Sequence, residues 1–104
     1  MLDLSATDIG TIQSILHDQV PECEVWAFGS RVTGRSRKFS DLDLAIRGPA
    51  HVDWRRLEAL RDALSESDLP IQVDVVDWNA VSEGFRQIIL GQREWIAGPQ
   101  SDAP

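Results

Sequence analysis

Apolar residues recur at Ile9, Ile12, Ile15 and Leu16, three to four positions apart, which predicts an amphipathic helix over 5–18. Ser5 followed three residues later by Asp8 has the form of a capping box, with Asp in place of the usual Glu, and Pro21 ends the helix. The next run, EVWAF at 24–28, is apolar on both alternating faces, as in a central strand covered on both sides. Gly29-Ser30 follows, then a basic segment over 31–37 read as one or two helical turns. DLDLAIR at 41–47 alternates with period two and predicts a strand, stopped by Gly48-Pro49. Trp54, Leu57, Leu60 and Leu64 share one side of a second main helix over 53–66, and Pro70 closes the connection after it. The β-branched run IQVDVVD at 71–77 predicts a third strand. Val81, Phe85, Ile88 and Ile89 mark a last helix over 80–91 with Gly91 as its stop, and 93–96 has the length of a short edge strand. This order of elements predicts an α/β domain of two or three layers around a small sheet. Trp26 and Trp54 are expected in its core. Trp78 and Trp95, where exposed, would serve a partner interface.

Length changes this picture little: 104 residues fit one domain, placed at 1–96, with the small and polar AGPQSDAP at 97–104 as a disordered tail. Charge changes it more. A formal net charge of -7 opposes phosphate backbones and argues against broad nucleic-acid binding. The average hides a local exception, because Arg31, Arg35, Arg37 and Lys38 fall within eight residues of one another. The single cysteine, Cys23, has no disulfide or zinc partner and is expected to be an inert thiol, which fits a reduced, cytoplasmic setting. His17 and His51 are isolated and expected at the surface. No apolar run reaches membrane-spanning length, and MLDLSATD lacks the features of a signal peptide.

The candidate chemistry lies in three aspartates and one turn. Asp41 and Asp43 are two apart on a strand, so their side chains share a face while Leu42 and Leu44 point into the core. Adjacent carboxylates repel, and a divalent cation relieves that repulsion. Hard oxygen donors suit Mg²⁺ or Mn²⁺ rather than zinc. Asp74 interrupts a β-branched strand and, if that strand lies beside 41–47, completes a three-carboxylate set. As a carboxylate amid valines it is expected to need a partner. Asp77, of opposite strand parity, reads as a cap or turn residue. Gly29 allows the backbone close to a phosphate, the Ser30 hydroxyl adds a donor, and the basic residues after them complement a triphosphate. Together these parts describe in-line attack on the α-phosphate of a nucleoside triphosphate, with two cations held by Asp41, Asp43 and Asp74. Asp74 is also placed to help deprotonate the attacking hydroxyl.

The string GSRVTGRSRKFSDLDL, with Gly-Ser at 29–30, ten residues, Asp-x-Asp at 41–43 and a later strand aspartate at 74, resembles the minimal nucleotidyltransferases of the DNA-polymerase-β superfamily. The resemblance extends over roughly 5–96 and includes Arg31, Gly34 and Ser40. It implies a nucleotidyltransferase fold, a small mixed β-sheet flanked by helices. It further implies Gly29, Ser30, Arg31 and Ser40 as nucleotide-binding residues and ATP as substrate. Short members resemble the antitoxin of two-gene modules whose partner is a small helical HEPN ribonuclease toxin. The implied reaction is transfer of AMP to a tyrosine near the toxin's active site. Two alternatives stand beside it: neutralisation by binding alone, and transfer to a small molecule or an RNA end. A homodimer is compatible with all three.

Overall fold

The computed structural model describes residues 2–34 and 41–100. Helix α1 spans Ala6–Gln19; the Ser5 side chain caps it by accepting from the Asp8 N–H at 3.1 Å, and Ile12 and Leu16 are buried. Strand β1, Glu24–Phe28, is buried at all five positions, as its two apolar faces require. One helical turn, α2 at Ser30–Thr33, leads toward β2, Leu42–Arg47. Helix α3, Trp54–Ser65, carries the chain across to β3, Val73–Asp77, and α4, Glu83–Gln92, precedes β4, Glu94–Ala97.

The four strands form one mixed sheet in the order β3-β2-β1-β4. β1 runs antiparallel to both neighbours, whereas β2 and β3 are parallel, a pairing that needs a crossover and receives it from α3. Alternation then sorts the side chains. Val25, Ala27, Leu42, Leu44, Ile46, Val73 and Val75 face α1 and α3 and meet Ile12, Leu16, Leu57, Leu60 and Leu64. Trp26, Phe28 and Ala45 face the other way and pack with Trp78, Phe85 and Ile89. There Trp26 and Trp78 meet edge-on at 5.2 Å, and Phe28 and Phe85 at 5.7 Å. The sheet is therefore covered on both faces, and the mixed-sheet architecture is the one expected. No helix among the described residues is long and apolar enough to cross a membrane.

Several expectations are corrected. Trp54 is not core: it opens α3 and is 68% exposed, with the Arg55 guanidinium over its ring. Leu57, one turn on, is the first residue of that stripe to reach the sheet. Trp78 is buried, so of the two remaining tryptophans only Trp95 offers exposed surface. Helix α4 starts at Glu83 rather than 80, capped by the Ser82 side chain, which accepts from the Phe85 N–H. It runs through Gly91 and ends where Arg93 turns extended to feed β4, so Gly91 stops nothing. Ile88 is exposed beside the buried Ile89. Ala97 belongs to β4 and is buried. Asp77 is the turn residue expected; its carboxylate accepts from the N–H groups of Asn79 and Val52.

Candidate active site

Register places the aspartates. Phe28 of β1 pairs with Asp43 of β2, and Asp43 pairs with Asp74 of β3, so the end of β1 and two carboxylates lie in one row across the sheet. Asp41 stands one residue before β2, with the parity of Asp43. Asp41 and Asp74 are exposed and Asp43 is half-buried. β3 is an edge strand, so the valines around Asp74 do not bury it; Gln72 donates to its Oδ1 at 3.3 Å. Asp74 is thus a surface carboxylate rather than one enclosed by valines, and Gln72 is its partner. What singles it out is its register with Asp43.

Burial pushes the Asp43 carboxyl above its ordinary value, and the charges of Asp74 and Asp41 push it further. Asp43 thus feels the charge of both other aspartates. They are not drawn into a closed cage: among the described residues no group of three acidic, His or Cys side chains is arranged to hold a metal ion. The donor chemistry fits a hard divalent cation, since all three supply carboxylate oxygens and such a cation would offset both causes of the Asp43 shift.

Gly29 sits against this row. It caps α2 with φ 86°, and a Cβ built on it would lie 2.6 Å from Asp43 Oδ2, so only glycine lets the turn approach that carboxylate. Its carbonyl accepts from the N–H groups of Val32 and Thr33, and its own N–H donates to Gln92 Oε1 at 2.9 Å. The Ser30 hydroxyl makes no hydrogen bond among the described residues. Arg31 follows in the same turn. Its side chain is buried and donates to the Asp3 carbonyl at 3.0 Å, with the Asp3 carboxylate at 3.9 Å, which binds the N-terminal segment to α2. Ser40, Arg35, Arg37 and Lys38 lie outside the described residues.

A cleft of about 490 Å³ opens beside β3 between Asp74, Gln72 and the α3 residues Glu58, Arg61 and Asp62. It meets the carboxylate row only at Asp74. Sequence reasoning missed Gln92, because a polar residue ending an amphipathic helix carries no local sign of a contact 63 positions away.

A glycine turn against one half-buried carboxylate with two exposed ones beside it is an arrangement suited to a polyanion carrying divalent cations. Comparison with known proteins points to nucleotide chemistry. The family described as "Polymerase beta, Nucleotidyltransferase" matches residues 10–102. The chain is 48% identical over 88 residues to the probable protein adenylyltransferase MntA of Haemophilus influenzae, covering 85% of this chain and 77% of that protein. It is 30% identical over 96 residues to the protein adenylyltransferase MntA of Shewanella oneidensis, covering 88% of this chain and 66% of that protein. Among solved structures, a toxin–antitoxin complex crystallised with AMP-PNP superposes with a TM-score of 0.68 at 27% identity, over 88% of this chain and 74% of the other.

Proposed function

From the premise that the chain belongs to the polymerase beta nucleotidyltransferase family, we propose that it is an antitoxin that transfers AMP from ATP to a tyrosine hydroxyl of a HEPN-type ribonuclease toxin. The observation that carries this reading is the pairing of Asp43 with Asp74 beside a turn that only glycine can make. The names of its relatives support the acceptor class, since one is a protein adenylyltransferase, the other a probable one, and the superposed complex is a toxin–antitoxin pair with AMP-PNP.

In this reading Gly29, Ser30 and Ser40 receive the triphosphate, and Arg31 braces the turn through Asp3. Asp41, Asp43 and Asp74 would hold Mg²⁺ or Mn²⁺, which supplies charge neutralisation for the triphosphate and the developing transition state. The tyrosine oxygen bonds to the α-phosphorus while the bond from that phosphorus to the bridging oxygen breaks, and pyrophosphate leaves. The hydroxyl proton passes to the Asp74 carboxylate, which the edge position of β3 leaves open to an incoming partner. The reaction belongs in the cytoplasm, where ATP and such a toxin meet.

The test is incubation of the chain and its cognate toxin with labelled ATP and Mg²⁺. Label on the toxin, lost in Asp41→Ala/Asp43→Ala, is the expected result. Absence of label, or label unchanged in the double variant, overturns the proposal. If the double variant still neutralises the toxin, binding alone is the function.

A further inference from the structure

The geometry points to Gln92 as a positioning residue for the nucleotide turn, holding Gly29 against Asp43 from the end of α4; the inference rests on the proposed nucleotidyl transfer. β1 and β4 pair at Trp26↔Trp95 and Ala27↔Glu94. Continuing that register brings Gln92 opposite Gly29, but Gln92 is still the last residue of α4, so no strand backbone is there to meet the Gly29 N–H. The Gln92 carboxamide takes the place of the missing strand, accepting that N–H at 2.9 Å. A backbone N–H can be met only by the amide oxygen, so the orientation of the carboxamide is fixed. The helix behind it is anchored, with Ile89 fully buried and Phe85 edge-on to Phe28. On its other side Gly29 has no room for a side chain, because a Cβ built on it would lie 2.6 Å from Asp43 Oδ2. Gly29 is thus fixed between a helix end and a carboxylate, and the direction in which Ser30 leaves the turn follows from both.

Three variants separate positioning from plain stability. Gln92→Met keeps the side-chain length and removes the acceptor. Gln92→Glu keeps an acceptor. Gln87→Met, which removes only the exposed contact with Glu83, is the control. Amide exchange at Gly29, melting temperature, affinity for ATP with Mg²⁺, and kcat and KM for AMP transfer are read for each. For Gln92→Met, Gly29 is expected to exchange at least about tenfold faster, and transfer to fall about 10–100-fold, mainly in kcat, since a small misplacement of the reacting geometry acts there. Melting should change little, and Gln92→Glu should restore Gly29 protection. Wild-type transfer by Gln92→Met, a loss no larger than that of Gln87→Met, or an unprotected Gly29 amide in the parent protein would overturn the inference. If the parent protein transfers no AMP, the functional proposal fails by itself. ATP affinity then decides for Gln92: about tenfold weaker binding by Gln92→Met upholds it, and equal binding overturns it.

Discussion

Replacing Gly29 with alanine isolates the contact on which the site depends. The substitution has two costs of different origin. Holding an L-residue at φ 86° costs roughly 1–2 kcal/mol, from the clash of Cβ with its own backbone. For a domain of this size that corresponds to a fall in melting temperature of about 4–16 °C. The second cost is local: the new Cβ lies 2.6 Å from Asp43 Oδ2, whereas ordinary contact begins at 3.4 Å. The carboxylate has to swing away, and a displacement on the order of 1 Å in a reacting constellation lowers rate about 100-fold. Gly34→Ala is the internal control, because Gly34 has φ 82° and a Cβ there meets nothing within 4 Å. By differential scanning calorimetry Gly29→Ala should lose more stability than Gly34→Ala, which carries a backbone cost alone, and only Gly29→Ala should lose about 100-fold in AMP transfer. In an Asp43→Ala background the nearest remaining atom is the residue 43 Cβ at 3.7 Å, so the stability cost of Gly29→Ala should shrink to its backbone share. The reasoning is refuted if Gly29→Ala transfers AMP as well as Gly34→Ala does.

Asp43→Asn should raise stability at neutral pH while abolishing transfer. The folded Asp43 carboxyl titrates above its ordinary value, so its ionised form is penalised by folding; the penalty is absent below about 3.8 and complete above the folded value. Melting curves of the two proteins should converge in acid, and a less stable Asp43→Asn at pH 7 would contradict this account. Glu22 is the opposite case, held down to about 2 by its hydrogen bonds with Arg56, at 2.6 and 2.8 Å. Its contribution is present above 4.5 and lost as pH falls toward 2. Because the pair is half-exposed, Glu22→Gln should cost no more than about 1 kcal/mol in denaturant melts at pH 7, and nothing near pH 2. Gly98→Ala should destabilise more than Gly29→Ala, because its Cβ would fall 1.8 Å from the Cys23 carbonyl oxygen, a backbone atom that cannot rotate aside. Equal melting temperatures for these two alanine variants would count against that comparison.

Local patterns made most of the elements legible. The two-sided apolar run at 24–28 became the buried central strand, and Ser5 with Asp8 marked the start of α1. Period-two alternation placed Asp41 and Asp43 on one face and the leucines on the other. What it did not reveal was the position of each element relative to the layers. A stripe through Trp54 and Leu57 is the same in sequence whether or not the first helical turn overhangs the sheet, and here it does. The β-branched composition of 73–77 suits an edge strand as well as a central one, which is why the exposure of Asp74 was misjudged. Arg31 and Gln92 owe their roles to partners far along the chain, Asp3 and Gly29, and no local spacing encodes those.

The parallel pairing of β2 with β3 has a kinetic meaning as well. Asp43 and Asp74 are separated by the whole of α3, and they meet only when this non-local strand pair has closed. Non-local parallel pairs carry a high loop-closure cost and are slow to form. A nascent or partly folded chain that holds α1, β1 and the Gly-Ser turn still lacks Asp74, the third of its carboxylates. Catalytic competence is thereby tied to completion of the fold, so the amount of modified partner in a cell would count native molecules rather than synthesised ones.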